Sequence, residues 1–178
     1  MTVVYTVLSA FLAILSVSAA YQITPNVIDG VPGYLNITKE PFVKIGSNYY
    51  FIESNNQKNW YAAYESCRLI DAELIAYESL EELKLISQYI IDHRIEHSYW
   101  ASGTDLAQQG KHVWLSSGKP VASNLWHKGQ PDNQKGKEHC DHIWVDKGVG
   151  GLNDYQCNKA IHYICKSPQP KTASLIIW

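Results

Sequence analysis

The sequence predicts an α+β fold, and three observations carry the prediction. Apolar residues recur at helical spacing in two stretches of the first half, Trp60, Ala63, Tyr64, Cys67 and then Leu80, Leu83, Ile86, Ile90. After Tyr99-Trp100 the chain turns rich in Gly, Asn, Asp and Trp, with only short strand-like runs. Those loops bury little by themselves, so disulfides or a metal must hold them. Four cysteines are available for that.

At 178 residues the chain is long enough for one domain with a real core. Residues 1–20 carry no charge, and the apolar run Leu8 to Val17 ends in Ser18-Ala19-Ala20. That pattern predicts a secretory signal peptide cut after Ala19 or Ala20, although no Lys or Arg precedes the run. The run is short for a bilayer span, so a retained anchor is the weaker reading. Secretion exposes the cysteines to an oxidising compartment, where two disulfides form. Three connectivities are open on sequence alone. Asn36-Ile37-Thr38 is an N-glycosylation sequon, accessible in a secreted chain.

Residues 21–40, rich in Pro, Gly and Asn, are expected to be a loosely ordered leader before a domain over 41–167. Phe42-Val43-Lys44-Ile45, the turn Gly46-Ser47-Asn48 and Tyr49-Tyr50-Phe51-Ile52 predict a β-hairpin. Asn59 is the expected N-cap of the first helix, with Cys67 on its core face. Leu74-Ile75-Ala76 is a short apolar segment. Ser79 caps the second helix, which runs to about His93 and carries Glu81 and Glu82 at the positive end of its dipole. Cys140 to Val145 reads as a strand. Residues 168–178 form a C-terminal tail whose apolar end is a possible contact between copies.

Net charge is −2 and no basic run exceeds a couple of residues, which argues against nucleic acid or anionic membrane as partners. The chemistry concentrates elsewhere. Gln130-Pro131-Asp132 is followed by Glu138 and Cys140, and then by Asn153-Asp154-x-x-Cys157. Gln130, Asp132, Glu138, Asn153 and Asp154 are hard oxygen ligands suited to calcium. Three are ionised, so a +2 ion leaves a local charge near −1. Backbone carbonyls or sugar hydroxyls complete the shell without adding charge. A cis bond at Pro131 would aim both neighbouring side chains toward one point.

Catalysis is not expected. Glu138-His139-Cys140-Asp141-His142 is dense in metal-binding types. On a strand, however, His139 and His142 point to opposite faces. There is no His-Glu-x-x-His helix and no nucleophile elbow.

These residues resemble a C-type lectin carbohydrate-recognition domain in its short, four-cysteine, secreted form, similar to insect secreted lectins. The likeness runs from about Phe42 to Lys166. It rests on Cys67, Trp100-Ala101-Ser102-Gly103, the tripeptide, Glu138-x-Cys140, Asn153-Asp154-x-x-Cys157 and Tyr163-Ile164-Cys165. The resemblance implies a C-type lectin fold with two helices, small antiparallel sheets and a long calcium-binding loop region. It also implies pairing of Cys67 with Cys165 and of Cys140 with Cys157. In the chain-entropy model these bridges contribute about 4–5 and about 3 kcal/mol.

The resemblance further implies one Ca2+ held by Gln130, Asp132, Glu138, Asn153 and Asp154, the same five residues receiving the sugar. Family members with Gln-Pro-Asp favour galactose, those with Glu-Pro-Asn mannose, because the swap exchanges amide and carboxylate around the ion. Expected partners are glycans ending in galactose or N-acetylgalactosamine on cell or microbial surfaces. An innate-immune role is plausible by family analogy alone.

Two departures qualify this. The family's stacking aromatic after the tripeptide is replaced by Asn133-Gln134-Lys135. Tyr155 is the substitute candidate, with Trp126 and His127 behind it and core packing the blander role for Trp126. An auxiliary calcium site would use Asp105 and the positions of Gln109, Asn133 and His139, where only Asp105 keeps a carboxylate. One ion is therefore expected, not two. Leu152 stands where the family often has Trp. The alternatives are a C-type-lectin-like module for a protein ligand and a lectin tolerant of mannose or fucose.

Overall fold

The computed structural model describes residues 23–29, 40–93, 98–146, 148–169 and 171–177. The signal-peptide residues 1–20 and the Asn36 sequon lie outside the described residues. In chain order the elements are β1 (Ile23–Asp29), β2 (Val43–Ile45), β3 (Asn48–Lys58), α1 (Trp60–Leu69), β4 (Glu73–Leu74), α2 (Leu80–Asp92), β5 (Ser98–Thr104), β6 (Val113–Trp114), β7 (Cys140–Asp146), β8 (Val149–Tyr155), β9 (Ile161–Lys166) and β10 (Lys171–Ile177).

The hairpin forms as its turn chemistry dictates. Ile45 sits opposite Asn48, and Gly46 takes φ +60°, a conformation that costs a residue with Cβ. Helix α1 starts where Asn59 accepts from the Ala62 N–H at 2.9 Å and buries Trp60, Ala63 and Cys67. In α2, Ser79 accepts from the Glu82 N–H at 3.1 Å, while Leu83, Ile86 and Ile90 enter the core. Glu82 turns inward rather than to solvent. Its carboxylate accepts from Tyr50 Oη at 2.5 Å and from the Glu78 N–H at 2.8 Å, and pairs with Lys166 Nζ at 2.8 Å. A buried carboxylate is tolerable only with such partners.

The small antiparallel pairs are joined in one eight-stranded sheet of order β2-β3-β9-β5-β7-β8, with β4 against β9 and β6 against β5. The join is the parallel pair β5/β9, where Tyr99 faces His162 and Trp100 faces Tyr163. Strand β5 is therefore central, and all but its first residue are buried. One core cluster lies under α2, around Ile86, Ile90, Tyr99, Ile143, Leu152 and Ile164. A second gathers Trp60, Leu74, Trp100 and all four cysteines. Cys67–Cys165 ties α1 to β9, and Cys140–Cys157 ties the start of β7 to the turn after β8.

One expectation needs correction. Part of the supposedly loose leader is β1, paired antiparallel with β10 from Ile23 opposite Ile177 to Asp29 opposite Lys171. Its partner is at the other end of the chain, so no local periodicity announces it. Pro25 is tolerated because a two-stranded ribbon has outer edges that need no donor. The tail considered as a contact between copies is thus paired within its own chain along one edge. No helix among the described residues is long and apolar enough to cross a membrane.

Candidate metal centre

The β7/β8 hairpin and the loop before it build the site. Asp141 lies opposite Asp154 and His142 opposite Asn153, so the Asn-Asp pair is delivered by the end of β8 beside β7. The Gln130–Pro131 bond is cis. Asp132, Glu138 and Asp154 each offer an oxygen, and all three oxygens lie within 4.8 Å of one another. Calcium–oxygen distances of about 2.3–2.6 Å allow opposite ligands a separation of about 5 Å, so the group can share one ion. Among the described residues this is the one such group of carboxylates, histidines or cysteines.

The loop is held by these same side chains. Asp154 Oδ1 accepts from the Asp132 N–H at 3.1 Å and Oδ2 from the Asn133 N–H at 2.7 Å. Asn133 occupies a left-handed conformation, φ 44°, and its Oδ1 accepts from the Glu138 N–H at 3.1 Å. Glu138 Oε2 accepts in return from the Gln134 N–H at 3.2 Å. Burial raises the Glu138 carboxyl above its usual range; Asp154 and Asp132 push it further, against the lowering effect of the Gln134 amide. Buried carboxylates that disfavour one another's charge are relieved by a cation.

Gln130 provides an independent sign of fit. Its Oε1 is buried with no hydrogen-bond partner, a costly state for a carbonyl oxygen unless a ligand takes it. Asn153 spends its amide protons on His142 Nε2 at 3.0 Å and the Asp154 carbonyl at 2.6 Å, so its oxygen is the atom it could offer to an ion. The donor set therefore suits calcium: hard oxygens only, three of them charged.

Sequence weighed His142 for zinc and the Asn133 position for an auxiliary ion, but assigned neither a part in the loop around Asp132, Glu138 and Asp154. Burial lowers the His142 pKa to about 4, so the ring is neutral and Nε2 can accept from Asn153. Its strand position opposite Asn153 is invisible before the register is known. Asn133 did carry a signal, since Asn tolerates left-handed backbone and bonds along its own loop. Tyr155 is half-buried, with its ring 5.3 Å from His142 and 6.0 Å from Trp100. Trp126 packs partly on the main core, as its blander role predicts.

Asp105 is engaged by protein groups. Its Oδ1 lies 2.8 Å from His139 Nδ1, and Oδ2 accepts from the Gly110 N–H at 2.7 Å, with His112 Nε2 at 3.6 Å. His112 in turn lies 2.7 Å from buried Asp141. Gly103 makes room for that carboxylate: a Cβ there would stand 2.0 Å from Asp141 Oδ2.

Fold, paired cysteines and oxygen cradle together define a C-type lectin domain. Residues 56–167 match the Lectin C-type domain family, and the chain belongs to it. It is 35% identical to C-type lectin 37Da of Drosophila melanogaster over 162 residues, covering 87% of both chains. It is 32% identical to C-type lectin 37Db of the same fly over 124 residues, 70% of this chain and 80% of that one. Among solved structures it resembles the mouse scavenger receptor C-type lectin carbohydrate-recognition domain. That likeness has a TM-score of 0.64 at 26% identity, covering 74% of this chain and 98% of the other. The family is a carbohydrate-binding class rather than an enzyme class.

Proposed function

We propose that this chain is a secreted lectin that binds galactose-type sugars through one Ca2+. The observation that carries the proposal is the convergence of Asp132, Glu138 and Asp154 beside a buried, unpartnered Gln130 Oε1. Gln130, Asp132, Glu138, Asn153 and Asp154 would hold the ion. When bound, the ion supplies open coordination positions for two vicinal hydroxyls, which in galactose are the 3- and 4-hydroxyls. Each hydroxyl offers a lone pair to the metal, donates to a carboxylate and accepts from an amide. Gln130 on one side and Asp132 on the other set which hydroxyl geometry is matched. Tyr155, next in chain to the ligand pair, is the proposed apolar contact for the sugar ring.

A single ion is supported by the commitment of the Asp105 carboxylate to His139 and the Gly110 amide. The natural ligands would be glycans ending in galactose or N-acetylgalactosamine. A single shallow site binds at about millimolar strength, or about 4 kcal/mol. Useful avidity then needs several sites, so a non-covalent oligomer is part of the proposal. Secretion, supported by the apolar leader, and a glycan on Asn36 complete it.

The test is retention on galactose-agarose at millimolar calcium with release by chelator. Mannose-agarose in parallel reads relaxed specificity. Failure to be retained on either would sink the sugar function and leave a protein ligand as the alternative.

A further inference from the structure

We propose that the sugar site has a second compartment that takes the next hexose of a glycan whose galactose end sits on the calcium; this rests on the function proposed above. The compartment is a cavity of about 490 Å³ with Gln130 and Pro131 in its wall. Both residues line it, and Gln130 is at the same time a member of the metal cradle. Gln130 is thus the residue shared by the cavity wall and the proposed ion site. The volume falls in the range of small-molecule sites, about 300–1,000 Å³.

The wall chemistry matches a pyranose. Val113, Pro120, Val121 and Pro131 give an apolar lining around the indole of Trp126. A hexose has one face of C–H groups and a rim of hydroxyls. The C–H face suits an indole and prolines, while the hydroxyls need donors and acceptors at the edge. Lys111 and Ser123 stand there, both exposed.

The platform is also preorganised. Trp126 and Val121 pack partly on the main core. The Trp126 ring meets His112 edge-on, with centroids 4.9 Å apart, and His112 is anchored on Asp141 at 2.7 Å. A wall fixed before binding loses little freedom when the ligand arrives. The aromatic surface missing directly after the tripeptide is thus present on the tripeptide's other side.

The experiment uses the whole chain with excess calcium and calorimetric titration. The ligands are methyl β-galactoside, galactose-terminated disaccharides in α1-3, α1-4, β1-3 and β1-4 linkage, and phenyl β-galactoside. At least one disaccharide is expected to bind about tenfold tighter than the methyl glycoside. Ser123→Trp, which fills the cavity, and Lys111→Ala, which removes a rim donor, should pull that ratio down toward one. Damage to the fold would weaken both ligands together and leave the ratio intact, which is why the ratio is read. No gain for any disaccharide, a ratio unchanged in both variants while each still binds methyl β-galactoside as the parent does, or a gain for the phenyl glycoside alone would overturn the compartment. If methyl β-galactoside itself shows no calcium-dependent binding, the lectin function falls and the compartment with it.

Discussion

The main-chain N–H of Asn133 donates to Asp154 Oδ2 at 2.7 Å, bridging 21 residues of chain. Asp154 is buried, and its other oxygen takes the Asp132 N–H. One carboxylate thus fixes the loop and faces the proposed ion. Its charge serves both tasks.

Asp154→Asn should therefore lower calcium affinity by about 100-fold, at the strong end of what altered metal shells lose. The side chain keeps its size but gives up one acceptor and the charge. Calorimetric calcium titration measures the loss, and unchanged far-ultraviolet circular dichroism separates it from unfolding. An affinity within a few-fold of the parent would remove Asp154 from the ligand set.

Asn133→Ala tests the loop rather than the ion. The left-handed backbone at Asn133 costs a residue such as Ala about 1–2 kcal/mol. Losing the bond from the Glu138 N–H adds to that. Calcium affinity is expected to drop about tenfold, with sugar preference unchanged. Asn133→Gly, which accepts the conformation but lacks the side chain, should fall between the two.

The double substitution Gln130→Glu with Asp132→Asn keeps the total charge and exchanges amide and carboxylate. Preference should move from galactose toward mannose in competition against both monosaccharides. If it stays put, selectivity resides elsewhere, and Tyr155 is the first position to vary.

Two buried groups should give opposing pH effects on the calcium-free protein. His142 has its pKa lowered to about 4 by burial, so the unfolded chain takes up a proton first as pH falls. Its contribution is present above the unfolded value near 6.5 and is lost between there and pH 4, by up to about 3 kcal/mol. Asp141 has its pKa raised to about 6, chiefly by burial, against the lowering effect of its hydrogen bond with His112. The folded state then binds the extra proton, and this contribution fades as pH rises from about 4 to 6. The two flatten the parent profile. Urea unfolding of His142→Phe should show stability gained relative to the parent as pH falls from 7 to 4.5. Asp141→Asn should show the reverse trend. Parallel profiles for all three proteins would refute both assignments.

By itself the sequence determined what depends on short-range spacing. The helical period, the caps Asn59 and Ser79 and the turn at Gly46 are local decisions, and each appears where it was expected. The candidate oxygens were legible too, because calcium chemistry narrows the choice to oxygen-bearing side chains at a few loop positions, and three of those named, Asp132, Glu138 and Asp154, converge. Which cysteines pair was open from spacing and was decided by the fold, with family likeness pointing the same way. The tertiary structure alone decided what depends on register across distant segments. It joined β1 to β10, set the parallel pair β5/β9, put His142 opposite Asn153, and brought Asp132 and Asp154 together from 22 residues apart. The same packing turned Glu82 inward and placed Trp126 beside both the core and the cavity. Such contacts leave no periodic trace because their partners are chosen by chain closure and burial, not by neighbours in sequence.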